Sequence, residues 1–390
     1  MQILTALSTT TATENAIEEA CRDVSAGLVG RSADLVFVFF SPDHADSAEL
    51  LVSTIHKRLH PTILLGCSAE SVIGGDQEVE GRPALCLWVG HLPGATFTPF
   101  HLEFVQAGDG LRSAGWPDTM PGLEHTPSFL VVAEPFTTPA EAFLKDLETR
   151  YPGASAIGGM ASGGREPGAN RLIFNDTVVD SGVIGVAVTG AVGIRTVVSQ
   201  GCRQIGDRFM ITQAEQNIIH ELSGKPALDR LREAFSTLSP AEQRQAERAL
   251  HLGIVIDEHK DHFERGDFLI RNLVGADQIT GSLAVADDVR VGQTVQFQIR
   301  DNASAGEDLR ALLTGERAAA GTPIGALLFS CNGRGQRFFR VPHHDITAVR
   351  DELGRIPVGG FFAMGEIGPV GGNNFLHGYT ASIALFCAHD

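Results

Sequence analysis

The chain has 390 residues, 43% hydrophobic and 20% charged, with 44 Gly and 22 Phe but only 2 Trp and 2 Tyr. That balance excludes a disordered chain and fits an ordered globular protein of two or three domains. A formal net charge of −17 argues against nucleic acid and against an anionic membrane surface as partners. No apolar run reaches membrane-spanning length, so no membrane insertion is expected, and the N-terminus lacks the basic and apolar segments of a signal peptide. The cysteines Cys21, Cys67, Cys86, Cys202, Cys331 and Cys387 are scattered without a CxxC pair. A reducing, cytoplasmic location is the expectation, with most thiols packed as small apolar groups.

In chain order, 3–8 reads as a first strand, and 14–28 has helical spacing of apolar residues with Thr13 as its N-cap. Residues 35–40 are β-branched and aromatic without polar alternation, as in a strand covered on both faces. An amphipathic helix is expected over 46–59. A strand over 62–65 runs into Gly66-Cys67-Ser68-Ala69-Glu70, and another covers 84–89. Gly and Pro over 106–126 mark a linker. The pattern then reopens with a strand over 129–133 and a helix over 139–149, Pro139 lying near its first turn. A strand over 154–157 runs into Gly158-Gly159-Met160-Ala161-Ser162-Gly163-Gly164, and strands follow at 172–174, 181–188 and 194–199.

After Gly201-Cys202-Arg203, residues 214–250 read as helical and charged. Strands are expected at 252–256, 268–272, 281–285 and 294–299, a helix at 307–313, a strand at 326–329, a helix at 345–353, and strands at 357–362 and 380–386. Three times a strand enters a helix and the next strand ends in glycine: Leu65-Gly66-Cys67-Ser68, Ile157-Gly158-Gly159-Met160 and Val358-Gly359-Gly360-Phe361. The expected fold is therefore mixed α/β: two lobes of mixed β-sheets flanked by helices, built from internally repeated strand-helix-strand modules. The domains are expected at 1–200, with sub-modules 1–105 and 127–200, and at 201–390. A cleft between the glycine turns would suit a small ligand.

The chemistry concentrates where apolar strands stop. Leu327-Leu328-Phe329 gives way to Ser330-Cys331-Asn332-Gly333-Arg334-Gly335, a hydroxyl, a thiol, an amide and a guanidinium spaced by glycines. The stretch Gly359-Gly360-Phe361-Phe362-Ala363-Met364-Gly365-Glu366-Ile367-Gly368 repeats the pattern with one carboxylate. Arg334 suits a two-bond grip on a ligand carboxylate, or it ties its loop to a neighbouring Asp or Glu. Glu366 suits a ligand amine, or it pairs with Arg334, Arg300 or Arg271. Ser330, Cys331 and Asn332 would complete the hydrogen bonds. Cys331 reads either as a reactive thiol beside a guanidinium or as a small residue at a tight strand end. His377 and Tyr379, two apart on a predicted strand, would share a face, lining the cleft or holding structural bonds.

Asp257-Glu258-His259-Lys260-Asp261-His262-Phe263-Glu264 looks metal-like but equally suits a charged loop, and no metal is expected. His343-His344 reads as a solvated turn. There is no Gly-x-Ser-x-Gly elbow, no P-loop and no Gly-x-Gly-x-x-Gly opening a helix, which disfavours common hydrolases and nucleotide-binding enzymes. Histidines are present without a haem-attachment motif, so haem stays a minor alternative and no cofactor is expected.

The motifs Phe329-Ser330-Cys331-Asn332-Gly333-Arg334-Gly335, Gly365-Glu366-Ile367-Gly368-Pro369 and His377-Gly378-Tyr379-Thr380-Ala381-Ser382 resemble those of the FIST family, a sensory module with a FIST-N followed by a FIST-C domain. Gly201-Cys202-Arg203-Gln204-Ile205-Gly206, Gly266-Asp267-Phe268-Leu269-Ile270-Arg271 and Val295-Gln296-Phe297-Gln298-Ile299-Arg300-Asp301 support it. In the N-terminal part Leu65-Gly66-Cys67-Ser68-Ala69 resembles the family's Gly-Cys-Ser turn, while Glu70-Ser71-Val72-Ile73-Gly74 departs from the Gly-Glu-Ile usual there. The resemblance implies small-ligand sensing in signal transduction, with an amino acid or related small carboxylate metabolite as ligand. It is closer to bacterial input modules, since no F-box-like segment is present. With no output domain in the sequence, a stand-alone module would act through a separate kinase, cyclase or receptor. Alternatives from the residues are an enzyme or redox sensor using Cys331, a haem-binding gas sensor, and a protein-interaction scaffold.

Overall fold

The computed structural model describes every residue except 108, 109, 124, 125, 261, 389 and 390. Its described residues form a mixed α/β fold in two compact units, one built from Met1–Val198 with Leu309–Asp390, the other from Ser199–Asp308.

The first unit contains three sheets among the described residues. The first runs in the order Gln2–Ser8, Leu85–His91, Leu35–Phe40, Ile63–Ser68, Leu172–Phe174, Thr177–Val179. The second runs Asn373–His377, Glu366–Val370, Ser155–Met160, Ser128–Ala133, Val183–Gly190, Ala95–Ala107, Gly110–Ala114. The third runs Val192–Ser199, Ala381–Ala388, Gly325–Cys331, Val358–Ala363, Ser71–Gly74, Gln77–Glu80. The last two sheets each join strands from the beginning and the end of the chain.

Each of these sheets contains a parallel pair bridged by a helix. Leu35–Phe40 and Ile63–Ser68 are linked through Ala48–Leu59, Ser128–Ala133 and Ser155–Met160 through Ala140–Arg150, and Gly325–Cys331 and Val358–Ala363 through a connection that includes His344–Leu353. The glycine recurs at the same place in all three. Gly66 faces Val38, Gly158 faces Val131 and Gly360 faces Leu328, and a Cβ on any of these glycines would collide with the facing carbonyl oxygen. The strand-end glycines visible in the sequence are thus places of close backbone approach.

The buried strands read as continuous apolar runs because both faces are covered. Helices Thr13–Leu28 and Ala48–Leu59 cover one face of the first sheet, burying Ile17, Val24, Leu51 and Ile55 with Val36, Val38 and Leu64. The other face shares a core with the third sheet. There Phe39 lies 5.1 Å from Phe361, Phe361 5.5 Å from Phe329 edge-on, and Trp88 4.7 Å from Phe386. Burying each such ring stabilises by roughly 1.5–3 kcal/mol.

The second unit is one antiparallel sheet, ordered Cys202–Glu215, Thr294–Arg300, Leu250–Val255, Phe268–Ala276, Leu283–Val285, Ile218–Leu222, Lys225–Pro226. A further pairing of Cys202–Glu215 with Ile218–Leu222 closes it on itself. Its core gathers Val295, Phe297, Ile299, Leu252 and Ile254 with Leu228 and Ala246 from the helices Ala227–Ser236 and Pro240–Ala249.

Several sequence expectations are corrected. Helical charge patterning was expected over all of 214–250, yet its first part is a hairpin, Cys202–Glu215 with Ile218–Leu222, turned at Gln216 with φ 52°. Isolated apolar residues there serve a sheet rather than a helix face. The expected linker over 106–126 contains the strand Gly110–Ala114, paired back on Ala95–Ala107. Residues 108, 109, 124 and 125 of that stretch lie outside the described residues. Thr13 is the first residue of its helix instead of the cap, and its hydroxyl lies 3.0 Å from His44 Nδ1. The expected helix over 46–59 begins as a 3-10 turn, Pro42–Ser47, before Ala48.

Candidate functional site

Gly325–Cys331 is buried along its whole length and delivers Ser330 and Cys331 at its C-terminal end. The chain then turns through Asn332, Gly333 and Arg334 into the short helix Gly335–Phe339. Arg334 is 1% exposed. Its Nε donates to Asp345 Oδ2 at 2.7 Å and its Nη2 to Asp345 Oδ1 at 2.8 Å, a two-bond pair. Ser330 Oγ donates to the same Oδ2 at 2.7 Å, and His344 Nδ1 lies 2.9 Å from Oδ1. The guanidinium sits 5.0 Å above the Phe339 ring, which stacks on His344. Burial pushes the Asp345 carboxyl up, but the Arg334 charge and hydrogen bonds outweigh it and hold Asp345 well below the usual carboxylate range. Arg334 therefore anchors its turn to the helix His344–Leu353. Glu366 lies near enough for its charge to act on Arg334, yet Asp345 holds the two-bond pair.

The hairpin of Ser71–Gly74 and Gln77–Glu80 braces this cluster. Glu78 Oε1 accepts from the Ile346 amide at 2.9 Å, while Oε2 is buried without a hydrogen-bond partner. Burial, followed by the negative charge of Asp345, pushes Glu78 up to about 8. The Glu78 amide donates to His343 Nδ1 at 2.9 Å, and Glu80 Oε1 accepts from the Gln336 amide at 2.9 Å. His343 and His344 are thus half-buried structural partners, where a solvated turn was expected.

Around Cys331 the ends of the three glycine-bearing strands converge. Cys331 Sγ accepts from the amides of Tyr379 at 3.1 Å and Gly333 at 3.4 Å. Asn332 Nδ2 donates to Glu70 Oε2 at 3.3 Å, and Asn332 Oδ1 is a buried atom without a hydrogen-bond partner. Ser162 Oγ accepts from the Glu70 amide at 2.9 Å and donates to the Phe362 carbonyl. Glu366 is fully buried, faces Gly159 and His377 in register, and accepts from the Thr380 amide at 3.0 Å. His377 Nε2 lies 2.9 Å from the Gly368 carbonyl. Asn332, Gly333 and Tyr379 are half-buried and Glu70 is exposed, so this face reaches the surface.

The structure brings Ser330, Cys331, Asn332, Arg334, Glu366, His377 and Tyr379 into one neighbourhood. Arg300 belongs to the other unit, on Thr294–Arg300 opposite Cys202. The shared strand face expected for His377 and Tyr379 is corrected: the strand ends at His377, and Tyr379 turns the chain with φ 65°. Sequence reasoning missed Asp345, Glu78 and the contact of Glu70. Asp345 opens a helix eleven positions after Arg334, and no spacing rule ties the two.

Of the other thiols, Cys387 is half-exposed and its Sγ accepts from Arg195 Nε at 3.1 Å, while the rest are buried. Burial pushes Cys21, Cys86 and Cys202 up to about 12 and Cys67 well above its ordinary value. In the 257–264 loop, Asp257 Oδ1 accepts from the His259 amide, Glu258 from the Thr294 amide, and Lys260 pairs with Asp267. Asp261 lies outside the described residues. Among the described residues no helix is long and apolar enough to cross a membrane.

The FIST N domain model matches residues 34–225 and the FIST C domain model residues 227–369. An uncharacterized protein of Mycobacterium tuberculosis is 43% identical over 389 residues, 99% of this chain and 100% of its own length. An uncharacterized protein of Mycobacterium bovis is 42% identical over 389 residues, 99% of both chains. On these matches the chain belongs to the FIST family, whose domains are sensory domains of signal-transduction proteins.

Proposed function

We propose that this protein senses an amino acid or a related small carboxylate metabolite at the face formed by Glu70, Cys331, Asn332 and Tyr379. The observation that carries this is the acceptor-rich end of a rigid strand array: Asn332 Oδ1 buried without a hydrogen-bond partner, beside the exposed Glu70 carboxylate. Those groups suit a ligand ammonium. Arg334, held by Asp345, positions the turn, and Ser330, Glu366 and His377 hold the strand ends behind it. Binding would favour one arrangement of the 331–335 and 378–380 turns, and so the surface offered to a separate kinase, cyclase or receptor in the cytoplasm. Only a difference in affinity between two arrangements can drive such a change.

A thermal-shift screen of amino acids, small carboxylates and haem on the wild type, Asn332→Ala and Glu70→Gln tests this. A concentration-dependent rise with an amino acid, lost in both folded variants, is expected. The absence of any amino acid or carboxylate response, or one unchanged by both variants, overturns the proposal; a response to haem alone favours gas sensing.

A second reading rests on Cys331 Sγ, at which two backbone amides aim. If it is a reactive thiol, iodoacetamide labels it in the native protein well before the half-exposed Cys387. Slower labelling of Cys331 removes that reading.

A further inference from the structure

The closed sheet of the second unit has one apolar face and one that is mixed. Val295, Phe297 and Ile299 point into the apolar core, so Gln296 and Gln298 point the other way. The register places Gln204, Gln298 and His251 side by side across three strands, with Gln296 beside Gly253 and Ile270 in the adjoining row. These are not surface groups: Gln298 is 0% exposed, His251 5% and Gln296 6%.

Buried amides ordinarily find hydrogen bonds, and each that does not costs about 1–3 kcal/mol. Here both polar atoms of Gln298, Nε2 and Oε1, are buried without a hydrogen-bond partner, and so are Gln296 Oε1 and Gln204 Nε2. Gln296 Nε2 donates to the Gly206 carbonyl at 2.9 Å, which fixes that side chain. Gly253 leaves the room in which the Gln298 amide lies, since a Cβ there would collide with Nε2. The apolar part of the same face is a small cluster that includes Phe268 and Ile270. His251 Nδ1 lies 3.0 Å from the Ala249 carbonyl.

We propose that this face of the 199–308 unit binds a small, planar, uncharged molecule with an amide edge, such as a lactam or a nucleobase-like ring. Donor and acceptor atoms are present in equal kind, which matches the adjacent N–H and C=O of such an edge and not the charge of a free ammonium. Phe268 and Ile270 supply the apolar surface for the ring. Its residues all belong to the 199–308 unit and none of them to the face around Cys331, so its proposal stands or falls independently.

The test is thermal shift of the full-length protein with uracil, nicotinamide and hydantoin as probes, against glutamate and toluene as controls. The wild type is expected to gain about 2 °C or more, saturably, with at least one probe and with neither control. Gln298→Leu, which removes the unpartnered amide, should fold with an unchanged or raised midpoint and lose the response. Gln204→Leu, at a half-buried position, should weaken it several-fold. Asn332→Ala should leave it intact. A probe response that survives both glutamine substitutions, or no response to any of the three probes, overturns the assignment and leaves Gln298 as a structural amide.

Discussion

At the scale of single residues, the ion pair that holds the 331–335 turn is also its most sensitive point. Arg334→Ala would leave the buried Asp345 carboxylate without its guanidinium, held only by Ser330 and His344, at a cost of about 3–5 kcal/mol. Ser330→Ala removes one bond to the same oxygen and should cost about 1 kcal/mol. Urea denaturation measures both, and equal losses would show that the pair is not the anchor. Glu78 adds a pH dependence of known sign. Its carboxyl rises from an ordinary 4.5 to about 8 on folding. Between those values the folded chain keeps a proton the unfolded chain has lost, so this contribution is complete below about pH 4.5 and gone above about pH 8. Asp345 acts oppositely, its contribution being lost as pH falls below its ordinary 3.8. Glu78→Gln should flatten the decline in stability between pH 5 and 8; an unchanged slope would refute the role given to Glu78.

At the scale of elements, the glycine at the centre of each parallel pair explains what was legible. Continuous apolar runs such as 35–40 and the stretch from Leu327 announced buried strands, and Gly66, Gly158 and Gly360 announced where backbones close up. The candidate turn was legible for the same reason, because Cys331, Asn332 and Arg334 stand where such a run stops. Its true partners were not. Asp345, Glu78 and Glu70 reach it through contacts across 11, 268 and 262 positions of sequence, and such contacts leave no local periodicity. The Ile218–Leu222 strand was hidden among helix-forming charged residues, since the closure of a sheet overrides local propensity. Gly360→Ala would force its Cβ into the Leu328 carbonyl. It should lower the thermal midpoint by several degrees, on the order of a 2–3 kcal/mol loss, whereas Gly315→Ala, in the helix Asn302–Ala320 with open space around it, should leave stability unchanged or raise it by about 0.5–1 kcal/mol.

At the scale of the whole molecule, sequence order and physical unit part company. Residues 309–390 supply the centre of the third sheet, where Val358–Ala363 pairs with Ser71–Gly74, and an edge of the second, where Glu366–Val370 pairs with Ser155–Met160. Residues 199–308 instead close a sheet among themselves around their own core. The two ends of that segment meet, since Ser199 Oγ donates to Asp308 Oδ2 at 2.7 Å. The segment therefore behaves as an insertion between adjacent points, which a short linker can bridge at little entropic cost. Replacing 200–307 by a few Gly and Ser residues should give a folded protein with a cooperative thermal transition. In a fragment of 201–390, residues 201–308 should melt as their own unit while 309–390 stays unfolded, because its Val358–Ala363 and Glu366–Val370 strands would lose their neighbours and expose open edges. Circular dichroism melting of the two proteins decides the matter. A 201–390 fragment whose melting amplitude includes residues 309–390, or an excised protein without a transition, would show that the boundary near residue 200 governs folding and that the interleaved strands do not.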